Sequence, residues 1–78
     1  MSNFITIFAR DLYNGDVVNT PSGIFKIKFV KHSVWEHEII WEENEKIAPF
    51  NIIPGYWLLS VELTDIRQRR MAISRVMK

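Results

Sequence analysis

Two histidines, His32 and His37, are the residues best suited to chemistry in this sequence. They stand five positions apart, an odd spacing that would place them on opposite faces of one continuous strand. A turn between them would change that placement. A shared zinc ion would still need a third ligand, and the chain contains no cysteine to supply one. We therefore predict no metal site and interpret His37 as a histidine at the edge of the core.

Paired carboxylates can act as general acid and base when an apolar pocket raises the pKa of one of them. Glu36, Glu38 and Glu42 are more simply explained as exposed charges on a strand, because the sequence supplies no such pocket. It also contains no glycine-rich phosphate-binding loop and no nucleophile elbow. We therefore expect a protein that is not an enzyme and uses no cofactor.

The charges are unevenly distributed along the chain, although their total is only +1. Residues 35–45 contain five glutamates and no lysine or arginine. Residues 65–78 are strongly basic, and Lys26, Lys28 and Lys31 form a smaller basic group. Acidic and basic segments that lie side by side in a sheet partly neutralise one another through cross-strand pairs. Segments left unpaired would instead be surfaces for a charged partner.

The composition indicates a single folded domain over residues 1–78. Hydrophobic residues make up 47% of the chain and aromatic residues 13%, which distinguishes it from a disordered sequence. The absence of cysteine excludes a disulfide scaffold and fits a reducing compartment. The first residues lack a signal-peptide pattern, and no apolar run is long enough to cross a bilayer. We expect a soluble cytoplasmic protein without membrane association.

Short apolar segments separated by turn residues predict a sheet. The apolar residues 4–9 lead into residues 12–18, which contain the pair Asn14-Gly15. This pair between apolar flanks predicts a hairpin of the first two strands through a type I′ turn. Thr20-Pro21-Ser22-Gly23 predicts a second turn. Residues 24–30 then alternate, which predicts a third strand with one face in the core and one in water. The expected core residues of this strand are Phe25, Ile27 and Phe29, and the exposed ones are Lys26 and Lys28.

Residues 33–43 fit a strand better than a helix, because only a strand places Trp35, His37, Ile39 and Trp41 on one face. We predict that this strand pairs with the third one through a turn at residues 31–33, with Lys26 and Lys28 facing Glu38 and its neighbours. Residues 43–55 contain two closely spaced prolines and are predicted to be a loop that lies on the domain as an apolar lid. Residues 56–63 are the last predicted strand.

The C-terminal segment has the pattern of a short amphipathic helix. Asp65 and Gln68 resemble a capping box, and helical spacing places Ile66, Ile73, Val76 and Met77 on one apolar face. Arg67, Arg70 and Ser74 would then line an exposed flank. The predicted fold class is α+β, a small antiparallel sheet or partial barrel of about five strands with this helix at its C-terminal end.

The stretch L-Y-N-G-D-V-V-N-T-P-S-G-I-F-K-I, residues 12–27, resembles the opening of KOW-type and other SH3-like small barrels. The resemblance covers about a fifth of the chain and rests on Gly-Asp-Val-Val, a turn, a glycine and a returning strand. It implies an SH3-like partial barrel. It also implies binding of RNA or protein through the loops, as several such barrels do.

The first functional hypothesis is a small protein-binding module, a modulator or inhibitor of a larger cellular machine of the kind that many phages encode. Tryptophan is enriched among the residues that dominate binding energy, and glutamates at the rim steer association. The expected contact residues are Trp35, Trp41, Glu36, Glu38, Glu42 and Glu43, and they would fit a basic partner surface.

The alternative hypothesis is an SH3-like nucleic-acid-binding protein. Its expected contact residues are the cations Lys26, Lys28, Arg67, Arg70 and Arg75. A third hypothesis is a homodimer that completes its core through residues 47–53 or the terminal helix.

Overall fold

The structure is a computed structural model that describes residues 3–42 and 50–76, with side chains as far as Met71. The described residues form one open antiparallel sheet of six strands, in the order β1-β6-β2-β3-β4-β5, followed by one helix. The predicted antiparallel sheet with a C-terminal helix is therefore confirmed, with six strands in place of about five. The strands are β1 (Phe4–Phe8), β2 (Val17–Thr20), β3 (Gly23–His32), β4 (Glu36–Trp41), β5 (Ile52–Pro54) and β6 (Leu58–Glu62), the short 3₁₀ helix η1 is Ala9–Asp11, and the helix α1 is Asp65–Val76.

The hairpin of β2 and β3 turns where the sequence predicts. Thr20 pairs with Gly23, and Pro21 and Ser22 form the tip between them. The Thr20 hydroxyl donates to the Gly23 carbonyl at 2.7 Å and accepts the Ser22 N–H at 3.2 Å. Gly23 has a φ of 124°, a conformation that residues with a Cβ rarely adopt.

The predicted hairpin of the first two strands is wrong. Strand β1 pairs with β6, from Phe4 opposite Glu62 to Phe8 opposite Leu58, and β6 lies between β1 and β2. A type I′ turn needs a positive φ at both of its central residues. Gly15 has a φ of 89°, but Asn14 does not have a positive φ, since the described residues include no non-glycine with one. Asn14 uses its side chain instead, accepting the Val30 N–H at 2.9 Å.

Strand β3 contains an irregularity that changes which of its residues are buried. The register against β4 shifts between Ile27 and Phe29. Before the shift, Phe25 and Ile27 are buried as predicted. After it, Val30 is buried and Phe29 is 44% exposed, so the prediction that Phe29 belongs to the core is wrong. A bulge of this kind reverses the faces of all the residues that follow it.

Strand β4 forms from the segment predicted to be a strand, and its turn lies further along the chain than expected. His32 is paired with His37, and residues 33–35 form the turn. Lys31 therefore lies opposite Glu38, whereas Lys26, which was predicted to face Glu38 and its neighbours, approaches Glu42. Trp35 belongs to the turn and does not share a face with His37 and Ile39.

Residues 52–54 form strand β5, although the whole segment 43–55 was predicted to be a loop. Residues 36–38 of β4 pair with Pro54, Ile53 and Ile52. The strand tolerates Pro54 because it lies at the edge of the sheet, where a missing N–H breaks no bond to an outer neighbour. Ile53 is fully buried and Phe50 packs against the core, whereas Ile52 is 58% exposed. Ile47 and the acidic residues Glu43 and Glu45 lie outside the described residues.

One face of the sheet carries the core, and its residues come from most of the chain. The buried hydrophobic residues are Ala9, Leu12, Val18, Phe25, Ile27, Val30, Ile39, Ile53 and Val61. Trp41 packs at 5.6 Å from Phe25 and 5.4 Å from Phe50, measured between ring centroids. None of the helices among the described residues is long and apolar enough to cross a membrane.

Helix α1 begins one residue earlier than the predicted capping box. The Thr64 hydroxyl accepts the Arg67 N–H at 3.2 Å, so Thr64 is the N-cap, and the Gln68 side chain donates to the Leu63 carbonyl at 3.3 Å. The faces are also not those predicted, because Ile66 is 51% exposed while Arg67 is only 4% exposed. Ile73, Ser74, Arg75, Val76 and Met77 have no described side chains.

Candidate protein-interaction surface

The turn between β3 and β4 exposes two apolar side chains on an ordered backbone. The Ser33 N–H and hydroxyl both donate to the Glu36 carbonyl, at 3.0 and 2.6 Å. These two bonds close the turn and leave Val34 and Trp35 at its tip, each 82% exposed. The turn thus holds a tryptophan in water without packing it.

The turn between β5 and β6 adjoins this tip. The Gly55 N–H points to the Trp35 carbonyl at 3.4 Å, and the Trp57 N–H donates to the Pro54 carbonyl at 3.3 Å. Tyr56, next to Gly55, is 70% exposed. We call Val34, Trp35 and Tyr56 the tip surface. An exposed group of large apolar side chains is typical of a contact site, whereas single exposed apolar residues are ordinary.

An open groove of about 250 Å³ lies on the outer face of the sheet beside the tip surface. Its floor follows one row across three strands, in which Lys31 lies opposite Glu38 and Glu38 lies opposite Ile52. The groove therefore offers an apolar side chain and charges of both signs. Its lining residues are Lys31, His32, Ser33, Glu36, Glu38 and Ile52.

The six residues predicted to bind protein do not all lie on this surface. Trp35 belongs to the tip surface, and Glu36 and Glu38 line the groove. Trp41 is half-buried, and its Nε1–H donates to the Phe50 carbonyl at 2.8 Å, so it has a packing role. Glu42 lies at the other end of β4, where it approaches Lys26 with 3.8 Å between carboxylate and ammonium. Glu43 lies outside the described residues.

The basic residues predicted to bind nucleic acid are also separated. Lys26 lies beside Glu42, and Lys28 is exposed at the bulge of β3. Arg70 lies over the Tyr13 ring, 4.3 Å from its centroid. The side chain of Arg75 is outside the described part of the chain.

The prediction that Arg67 lines an exposed flank is wrong. Its guanidinium forms two hydrogen bonds with the Asp16 carboxylate, the one from Nε at 3.2 Å, and the two side chains are 5% and 1% exposed. It also donates to the Asp11 carbonyl at 3.0 Å. Because a buried carboxylate requires an opposite charge, Asp16 explains why Arg67 of α1 is turned toward residues 11–16 and away from water.

The two histidines meet directly, because the turn between them makes them cross-strand partners. Their Nδ1 atoms are 2.7 Å apart, and His32 Nε2 lies 3.0 Å from the Leu12 carbonyl. His37 is buried and His32 is exposed. Burial lowers the pKa of His37 from its ordinary value of 6.5, and the neighbouring His32 ring lowers it further. No group of three metal-binding side chains occurs among residues 3–42 and 50–76.

Sequence reasoning missed Val34, Ile52 and Tyr56 as parts of the surface. The sequence pattern places Ile52 in a lid and Tyr56 in the last strand. One signal was available for Tyr56, which directly follows Pro54-Gly55, a pair typical of turns. No comparable signal marked Ile52, since its exposure depends on which residues of β5 pair with β4.

Comparison with known proteins found no matching family, no matching curated protein and no matching solved structure. The tip surface and its groove are therefore the features from which a function can be inferred.

Proposed function

We propose that this protein is a non-enzymatic protein-binding module that contacts its partner through the tip surface and the adjoining groove. The observation that carries the proposal is the exposure of Trp35, Val34 and Tyr56 on two adjoining turns. Such a module would act as a modulator or inhibitor of the machine to which its partner belongs.

Trp35 has the properties of a binding anchor. A tryptophan buries a large area on contact, so covering a side chain that is 82% exposed removes much apolar surface from water. The bonds from Ser33 to Glu36 fix the turn before binding, which reduces the entropy lost on association. Large aromatic side chains on prepared backbones dominate the energetics of many interfaces.

The charges of the groove would set partner preference. Glu36 and Glu38 both point to the outer face, since alternate residues of β4 are exposed, and Lys31 lies opposite Glu38. A partner with a cation near an apolar side chain would match the two carboxylates and Ile52. Rim charges of this kind mainly change the association rate and its dependence on salt.

We also propose that the sheet curls toward an SH3-like partial barrel. The Ala9 N–H donates to the Trp57 carbonyl at 2.8 Å and the Arg10 N–H to the Gly55 carbonyl at 3.2 Å. These bonds join η1, which follows edge strand β1, to the turn that follows edge strand β5. They support a curved sheet whose two edges approach each other at one end.

Affinity capture from a host lysate tests the proposed function when it is run with variants. We expect Trp35→Ala and Tyr56→Ala each to abolish capture of a partner that the unmodified protein retains. The matched control is Ile24→Ala, which removes an apolar side chain that is 55% exposed next to the β2–β3 turn. Equal capture by all variants would contradict the proposal. Far-ultraviolet circular dichroism checks that each variant is folded.

Nucleic-acid binding has less support, because Arg67 is buried and Lys26 lies beside Glu42. Electrophoretic mobility with mixed DNA and RNA at two salt concentrations distinguishes the two functions. A shift at low salt that disappears steeply at higher salt would favour the nucleic-acid function.

A further inference from the structure

The hydrogen bonds of the two histidines define their tautomers. A carbonyl oxygen only accepts, so His32 Nε2, at 3.0 Å from the Leu12 carbonyl, must carry a proton. In a neutral His32 the Nδ1 atom is then an acceptor. The 2.7 Å contact between the two Nδ1 atoms therefore requires His37 Nδ1–H to donate to His32 Nδ1. The result is a directed chain from His37 through His32 to Leu12.

This chain can take up one proton and remain intact, but not two. One added proton leaves one Nδ1 atom free to accept. When both rings are imidazolium ions, both Nδ1 atoms carry hydrogen and both rings are positive. Two N–H groups cannot face each other at 2.7 Å, so the rings must separate.

The pair is placed where its separation would affect the tip surface. It is the last cross-strand pair of β3 and β4 before the turn that contains Trp35. His37 also lies against Gly55, since a Cβ built there would be 2.8 Å from its Nε2 atom. Gly55 in turn bonds to the Trp35 carbonyl. The buried ring thus supports both turns of the surface.

We propose that the His32–His37 pair is a pH-sensitive switch: neutral or singly protonated, it holds the tip surface in place, and doubly protonated, it releases the hairpin end. The two histidines are the only ones in the chain. Histidine is also the only side-chain type whose ordinary titration falls between pH 5 and 8. The other charged or titratable groups on the elements around the pair are Arg10 and Asp11 of η1, Lys26, Lys28 and Lys31 of β3, Glu36 and Glu38 of β4, and Tyr56 of the β5–β6 turn.

The sign of the pH effect follows from the lowered pKa of His37. As the pH falls below the ordinary value of 6.5, the unfolded chain binds a proton at this residue before the folded protein does. The contribution of His37 to stability is therefore complete above about pH 6.5 and is lost progressively below it. Only the consequence for partner binding depends on the proposed function.

Nuclear magnetic resonance of the wild-type protein tests the switch without any partner. At pH 7.5 we expect His37 as the Nδ1–H tautomer and His32 as the Nε2–H tautomer. As the pH is lowered until both rings are protonated, the indole N–H signal of Trp35 should shift with the second protonation of the pair and not with the first. The signal of Trp41, bonded to the Phe50 carbonyl, should stay in place as an internal control. The opposite tautomers, or a Trp35 signal that does not follow the second protonation, would overturn the proposal.

His32→Gln provides the matched variant, because glutamine can accept from His37 and donate to Leu12 but does not titrate. Urea unfolding at pH 7.5 and 5.5 should show a several-fold fall in the folding equilibrium constant of the wild type, and a smaller fall in the variant. Equal falls would overturn the proposal. If the variant does not fold, the wild-type resonance measurement decides alone. A partner captured through Trp35 at pH 7.5 should be released by the wild type at a pH low enough to protonate both rings, and retained by the variant at that same pH.

Discussion

Arg67 on helix α1 and Asp16 before strand β2 form a buried ion pair that joins residues 51 positions apart in the chain. The Asp16 carboxylate also accepts the Tyr13 N–H at 2.8 Å, so one side chain holds both the turn that contains Gly15 and the helix. The pair explains why α1 presents an arginine to the segment before β2 and leaves Ile66 in water.

Asp16→Asn should destabilise the protein by about 3–5 kcal/mol, because it leaves the Arg67 guanidinium buried without a counter-charge. Urea unfolding at pH 7 measures the change. Asp11→Asn is the control, since the Asp11 side chain is exposed and Arg67 contacts only its backbone carbonyl. The double variant Asp16→Leu with Arg67→Met should be more stable than Asp16→Asn alone. A loss of under 1 kcal/mol for Asp16→Asn would show that the pair does not anchor α1.

Thr64→Ala should destabilise the protein by about 1 kcal/mol, because it removes the hydroxyl that accepts the Arg67 N–H. Asp65→Ala is the comparison, since the sequence pattern predicts Asp65 as the cap. From the structure we expect Thr64→Ala to lower the free energy of unfolding more than Asp65→Ala does, as measured by thermal or urea unfolding. If Asp65→Ala were the more damaging change, the helix would begin where the sequence pattern places it.

Val30→Ala should cost about 2 kcal/mol, from the lost apolar burial and the cavity left behind. Phe29→Ala should cost less, although phenylalanine is larger, because Phe29 is 44% exposed and Val30 only 7%. The comparison tests the register shift in β3 directly. If β3 were a regular strand with Phe29 in the core, Phe29→Ala would instead cost more than Val30→Ala.

Gly55→Ala should displace His37 and destabilise the protein by about 1–3 kcal/mol, the usual cost of overpacking. The added Cβ would lie 2.8 Å from His37 Nε2 and 3.3 Å from Arg10 Cβ. Gly15→Ala is the control, because its added Cβ meets nothing within 4 Å and its cost is backbone strain at a φ of 89°. Histidine resonances should therefore move in the first variant and stay in the second.

Local features of the fold could be predicted from the sequence. The turn at Pro21-Ser22, the segments of β3, β4 and β6, and the C-terminal helix all follow from turn residues and from hydrophobic periodicity. These signals act over a few residues, and the structure agrees with them. Strand β5 could not be predicted, because Pro54 disfavours a strand unless it is known to lie at a sheet edge.

Features that depend on distant contacts could not be predicted. Nothing near Asn14-Gly15 indicates that β6 separates β1 from β2. Nothing in the helix sequence indicates that Arg67 faces a buried carboxylate. In the candidate surface, the residue type alone marks Trp35 as a contact residue. That Trp35 is exposed while Trp41 is half-buried depends on where the turn lies.

The pairing of β1 with β6 imposes an order on folding. Residues 4–8 are among the first of this sequence to be synthesised, and their partners in β6 are residues 58–62. The β2–β3 and β3–β4 hairpins close short loops and can form early, whereas β1 must wait for a contact that spans most of the sequence. During that interval the apolar segment Phe-Ile-Thr-Ile-Phe has no native neighbour. Chaperone contact and off-pathway association during synthesis should therefore concentrate on these five residues.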